Sequence, residues 1–189
     1  MHIFPAEIVN NIVLEDRWTL TLGQLEALAQ TLMGRSADKT WIRKDNSVTI
    51  GKRFLAENCK HLERVVPDIG VRASKILKPG DSISILRASA YWHLRYQDIH
   101  PLYDGNGRTG RLIMAIQCET ACRFGRVEIL SSLHELENEY RWVSVPEDRQ
   151  QSFELLLDIL GRITGTILPA DAYQLPLPLE PLVTISKTR

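Results

Sequence analysis

The stretch HPLYDGNGRTGR, residues 100–111, places a histidine, a carboxylate, a glycine-rich turn and two arginines in one short run. His100 ends one helical pattern, and an imidazole whose unperturbed pKa is about 6.5 can accept a hydroxyl proton at neutral pH. Asp104 offers a hard oxygen ligand of the kind that holds Mg²⁺ beside a phosphate. Gly105, Asn106 and Gly107 allow the backbone to turn N–H groups inward on an anion. Arg108 and Arg111 are spaced i,i+3, so both project from the first turn of the helix that follows, whose N-terminus adds a positive dipole end. Gly110, in the same turn, is expected beside the phosphates for that reason. A base, a metal carboxylate, a phosphate nest and paired arginines are the parts of a phosphoryl- or nucleotidyl-transfer site. Taken singly, each has a plainer reading. A histidine can sit at a helix C-terminus, Asp-Gly and Asn-Gly are common turn pairs, and two arginines can be a solvated face. At this spacing all three plain readings would have to hold together.

The elements around the stretch are helical. "SISILRASAYWHLRYQDI" reads as a helix capped by Asp81 or Ser82 and running straight into His100. His93, on the same helix, suits packing or hydrogen bonding better than chemistry. "RTGRLIMAIQCETACRF" reads as a second, mostly apolar helix that Gly125 would end, and such a helix is expected at the centre of the core. Leu25, Leu28, Ala29 and Leu32 share one helical face before a stop at Gly34. "KRFLAENCKHLERVV" has helical spacing that should stop before Pro67. The segment 67–80 is ambiguous. The β-formers of "TWIRKDNSVTIG" flank the turn residues "KDNS", which predicts a small hairpin over 40–51. "EDRQQSFELLLDILGRIT" predicts a last helix with Pro146, Glu147 and Asp148 in its first turn. The Pro- and Leu-rich tail, 168–189, is expected to be extended over the body or partly disordered.

Composition bounds the function classes. The 189 residues fit one domain, with 44% hydrophobic and 24% charged residues, as in a soluble globular protein. Lys plus Arg and Asp plus Glu both number 23, so the chain lacks the cationic excess of a general nucleic-acid binder. No segment has the roughly 18 consecutive apolar residues of a membrane span, and "MHIFPAEIVNN" lacks the pattern of a secretory signal. Three cysteines, Cys59, Cys118 and Cys122, argue against a disulfide framework. Cys118 and Cys122 have i,i+4 spacing, but no neighbouring residue completes a metal set. A cytoplasmic protein without membrane or nucleic-acid partners is expected, and a secreted effector would have to travel without a visible signal.

The stretch also resembles the Fic-domain signature His-Pro-Phe-x-(Asp/Glu)-Gly-Asn-Gly-Arg-x-x-Arg, departing at one specified position, where Leu102 stands for Phe. The resemblance covers roughly residues 20–165 and implies a mainly α fold: a Fic-type helical bundle with a small β-hairpin flap and the motif loop between two central helices. It implies one Fic-like domain over 1–167 and a tail over 168–189. By the same resemblance the reaction is transfer of AMP from ATP to a Ser, Thr or Tyr hydroxyl of a target protein. His100 would be the base, Asp104 the Mg²⁺ ligand, and Gly105, Asn106 and Gly107 the phosphate cradle, with Asn106 near the α-phosphate. Arg108 and Arg111 would bind the leaving phosphates. The candidate flap, 40–51, would dock the target by strand addition through Val48, Thr49 and Ile50. Leu for Phe at 102 is expected to loosen the loop without losing the chemistry.

Many relatives carry an inhibitory (Ser/Thr)-x-x-x-Glu-(Gly/Asn) helix. The nearest approach here, Ser131 to Glu135, is followed by Leu136, so an internal brake is not expected. A small antitoxin supplying the inhibitory Glu, as in a toxin–antitoxin pair, or an unrestrained enzyme would be consistent with this. Alternatives are a Fic-fold enzyme that moves UMP, phosphocholine or phosphate, and an inactive nucleotide- or protein-binding module. Gly107, where kinase-like relatives carry Lys, and the intact His100 and Asp104 favour adenylyl transfer.

Overall fold

The computed structural model describes residues 5–34, 40–46, 49–50, 54–136, 139, 148–179 and 183–184. Its α-helices are α1 (Ala6–Asn11), α2 (Leu22–Met33), α3 (Leu62–Ser74), α4 (Ser82–Ile99), α5 (Asn106–Cys118), α6 (Arg126–Glu135) and α7 (Arg149–Thr164). The strands are β1 (Thr49–Ile50), β2 (Phe54–Leu55) and β3 (Val183–Thr184). The fold is mainly helical, as expected.

Local chemistry explains most helix ends. Thr21 and Gln24 form a reciprocal capping box that starts α2, and Gly34 ends it in the left-handed region at φ 57°. Asp81 accepts the N–H of Ile83 to start α4, and Asp148 accepts those of Gln150 and Gln151 to start α7. Along α4, Leu86, Tyr91, Trp92, Leu94, Tyr96 and Ile99 are all buried. The helix packs against α3, α5 and α7, so α4 and α5 together form the centre of the core.

Three helix limits differ from expectation. Of the segment 52–66, whose spacing is helical, Phe54–Leu55 is strand β2 and Cys59–His61 a short 3₁₀ turn opened by Asn58, whose side chain accepts the Lys60 N–H, so α3 starts only at Leu62. α3 runs through Pro67 instead of stopping before it. Its buried stripe of Leu62, Val66, Ile69, Gly70 and Ala73 keeps helical period across the proline. The one carbonyl that proline deprives of a donor belongs to exposed Glu63, where water can serve it. Gly70 is required there, because a Cβ would lie 2.3 Å from the carbonyl oxygen of Trp18. α5 ends at Cys118, well before Gly125, which instead opens α6 with its N–H donated to Glu128.

The predicted hairpin over 40–51 is not seen. Among the described residues, Trp41–Arg43 does not pair with Thr49–Ile50; it lies antiparallel to the motif loop. Ile42 forms a bridge with Leu102, the Arg43 N–H donates to Pro101 (3.0 Å), and the Tyr103 N–H donates to Trp41 (2.9 Å). With those backbone groups committed, β1 turns to β2, pairing Thr49 with Leu55 and Ile50 with Phe54, and β3 adds on the far side of β2. Val48 lies outside the described residues. The Pro- and Leu-rich segment lies on the body: Leu168, Tyr173, Leu175, Leu177 and Leu179 pack on the core. Gln150 holds the segment by bonds to Tyr173 O and Leu175 N. No helix among the described residues is long and apolar enough to cross a membrane.

Candidate active site

α4 must end where the motif begins, and His100 ends it. His100 is the C-cap, with φ 50° and its N–H bonded to Tyr96 O at 3.0 Å. Among the described residues it is the one non-glycine with positive φ. The left-handed region is costly for a residue with a Cβ, so the surroundings must impose it. Its Nδ1 lies 3.3 Å from the carbonyl oxygen of Gln97. A carbonyl can only accept, so Nδ1 carries the proton and Nε2 keeps its lone pair. Burial lowers the His100 pKa, the cation of Arg43 lowers it further, and the Gln97 bond raises it in part. The net result is an imidazole held neutral, with the Nε2 lone pair unprotonated.

Four residues on, the chain turns into α5. Gly105 caps that helix at φ 88°, a conformation glycine supplies without strain. The first intrahelical bond runs from Thr109 N to Gly105 O (2.8 Å). The N–H groups of Asn106, Gly107 and Arg108 therefore have no acceptor within the helix, and they sit at its positive end. The guanidinium of Arg111 lies over Gly107, whose added Cβ would come within 3.3 Å of Nη1. Arg108 pairs with Asp104, Nη2 being 3.2 Å from each carboxylate oxygen. Asp104 Oδ1 also accepts the Gly105 N–H at 2.7 Å. Asp104 is about half exposed (52%), so its carboxylate is open to a cation. One accessible carboxylate beside a phosphate nest is a donor set that fits Mg²⁺, which takes few protein ligands and fills its sphere with water and phosphate oxygens.

Two motif residues also have structural contacts that their spacing did not announce. The Asn106 side chain is buried and clamps the loop: Oδ1 accepts the Leu102 N–H (3.0 Å) and Nδ2 donates to Leu102 O (2.7 Å). Gly110 packs against α4, where a Cβ would meet Gln97, His93 and Tyr96 at 2.8–3.0 Å. It is a close-approach glycine between helices, and its N–H falls past the open first turn. Leu102 is fully buried with Ala29 and Trp41, and Asn106 bonds both its backbone groups. His93 is buried, with its pKa pushed down to about 3 mainly by burial, and lies 3.4 Å from the Gln97 amide. It is a neutral packing residue.

Sequence reasoning missed Arg43. It lies far from the motif in the chain, and one arginine between β-formers carries no spacing signal. Yet its side chain is buried and reaches the carbonyls of both Ile99 and His100.

The site thus sits in a mainly helical fold whose central helix ends in a neutral histidine, followed by a glycine turn and by Arg108 and Arg111 on the first turns of the next helix. The Fic/DOC family model matches residues 19–118, just over half of the chain, and the chain belongs to that family. Membership suggests a Fic-type transferase. Among solved structures, the chain is similar to a Fic family protein from Desulfovibrio desulfuricans G20, with a TM-score of 0.61 and 20% sequence identity. The match covers 85% of this chain and 48% of that one, so this chain spans about half the length of the solved protein. No curated protein matches the chain.

Proposed function

We propose that this chain is a protein adenylyltransferase, moving AMP from ATP to a Ser, Thr or Tyr hydroxyl of a target protein. The observation that carries the reading is the pairing, across one short loop, of a neutral His100 whose Nδ1–H is committed to Gln97 with an α5 N-terminus bare of side chains at Gly105 and Gly107. His100 Nε2 takes the proton of the target hydroxyl as its oxygen bonds to the α-phosphorus and the bond to the pyrophosphate oxygen breaks. The N–H groups at the start of α5 receive phosphate oxygens, and Arg111 offsets the charge that builds on the departing pyrophosphate. Asp104 would hold Mg²⁺, which with ATP bound neutralises phosphate charge. Arg108 can leave Asp104 for a phosphate at small cost, because an exposed i,i+4 pair contributes at most about 1 kcal/mol. Thr49 and Ile50 lie on a short ribbon whose strand edge suits docking of an extended target segment. In this reading a separate small antitoxin supplies the inhibitory glutamate, or the enzyme is unrestrained, and the protein acts in the cytoplasm.

The test is transfer of label from α-labelled ATP with Mg²⁺ in a bacterial lysate, beside His100→Ala. A labelled protein that disappears with the variant supports the reading. Label arriving only from another donor changes the group moved, and no label from any donor turns the reading toward a binding module.

A further inference from the structure

His100 holds a backbone conformation that a side-chain-bearing residue rarely adopts, and one other residue surrounds it from outside the helix. Arg43 is buried at 1% exposure. Its Nε donates to His100 O (2.7 Å) and its Nη2 to Ile99 O (2.9 Å), while its backbone N–H donates to Pro101 O (3.0 Å). One residue thus engages three consecutive carbonyls, those on both sides of His100 and its own. These are carbonyls that the end of α4 leaves without helical donors, and a cation there also meets the negative end of the helix. The rest of the guanidinium points the other way: Nη1 donates to Asp45 O (3.0 Å) and Nη2 to Glu57 O. Asp45 and Glu57 flank β1 and β2 in the chain. The planar fork alone reaches all four carbonyls, which a lysine amine on a longer stem cannot reproduce.

We propose that Arg43 is a positioning residue for the base: its guanidinium locks His100 in the left-handed C-cap conformation and ties it to both stems of the β1–β2 ribbon. The inference rests on the reading of His100 as the base of the transfer reaction. Arg43 touches no reacting atom in this scheme. It acts by fixing where the imidazole stands, so its loss should reduce the rate of transfer while leaving nucleotide binding at the α5 nest intact. A misplacement of about 1 Å at a reacting group costs on the order of 10²-fold in rate.

The experiment compares the full chain with Arg43→Lys and Arg43→Gln by three readouts. They are the His100 ¹³Cα and ¹³Cβ chemical shifts, the affinity for ATP by titration, and the rate of label transfer corrected for the folded fraction. The expected result is His100 shifts that leave the left-handed range in both variants. Transfer should be slower by on the order of 10²-fold, with ATP affinity unchanged within about threefold. Unmoved His100 shifts overturn the proposal, as does a rate that falls only with the folded fraction. If the unsubstituted chain transfers no label from any donor, the adenylyltransferase reading fails while the His100 shifts still decide the role of Arg43. If neither variant folds, hydrogen exchange in the unsubstituted chain decides. A slowly exchanging Arg43 Nε–H supports the lock, and one exchanging like a surface guanidinium overturns it.

Discussion

On one side of the motif loop, α4 and α5 meet along buried faces, with Gly110 letting the two helices approach within reach of His93 and Tyr96. On the other side, β1 and β2 are two residues each, β2 pairs with β3, and the Trp41–Arg43 segment that precedes them lies against the motif loop. The first region keeps its geometry by close packing, which transmits strain and tolerates little change. The second depends on a few backbone bonds, which cost little to break and re-form. In the proposed scheme the groups that must hold still, His100 and the α5 N-terminus, are on the packed side. The strand edge offered to a partner is on the loose side. Substitutions on the packed side should therefore damage chemistry or stability, and those on the ribbon should alter target use alone.

The largest effect should come from His100→Ala. Loss of a general base lowers transfer by about 10²–10⁴-fold, while the thermal midpoint moves little: alanine keeps the Cβ and so the same backbone cost at φ 50°, and the side-chain bond lost is the single one to Gln97 O. Steady-state labelling and a melting curve check both parts. A variant that keeps full activity would remove the base from the packed side and end the comparison.

Next is Asn106→Ala, which leaves the buried N–H and C=O of Leu102 without partners. Unpaired buried backbone groups of this kind cost about 1–3 kcal/mol, read as a lower denaturation midpoint. Asn106→Asp keeps the acceptor for the Leu102 N–H and removes the donor, so it should fall between. If neither variant moves the midpoint, the loop is held from the ribbon side through Ile42 and Trp41, and the two regions are less distinct than described.

The packed side should also show in acid. His93 has its folded pKa pushed down to about 3, and burial lowers that of His100 as well. Below the unfolded value of about 6.5 the unfolded chain binds a proton that folded His93 refuses, so stability falls as pH drops from there toward 3. The slope is about 1.4 kcal/mol per pH unit for each such group. His93→Gln should flatten the dependence of unfolding free energy on pH in that window. For the same reason the acid limb of the transfer rate should lie below the ordinary imidazole value, since His100 stays neutral to lower pH.

What the chain makes legible follows the same division. α4 could be read from Asp81 to His100 because its cap, its apolar period and the proline after it are all local signals. The stop of α2 at Gly34 is of the same kind. The placing of the motif between two central helices follows from those neighbours. Pro67 misled because a buried stripe through Leu62, Val66 and Ile69 outweighed one lost bond. Gly125 misled because glycine serves helix starts as well as ends. Gly110 and Asn106 also make contacts, with α4 and with Leu102, which spacing cannot express. Arg43 and the pairing of Ile42 with Leu102 lie further out of reach, because they join segments that nothing in the local pattern links.

The smallest expected effect on stability is the most discriminating. Ile50→Pro removes a backbone donor from β1 and restrains its φ, so it should disrupt a two-residue strand. A change confined to so short a ribbon should alter folding stability by no more than about 0.5 kcal/mol. Transfer to the natural target should fall if that target docks on this edge, whereas ATP binding at the α5 nest should stay as it was. Affinity for ATP, the melting midpoint and labelling of target in a lysate together separate these effects. Loss of ATP binding in Ile50→Pro would mean that the ribbon supports the nest itself. Arg43, which bonds Asp45 and Glu57 on one face and Ile99 and His100 on the other, is the route by which it would do so. Unchanged labelling would instead take target docking off β1 and assign it to another surface.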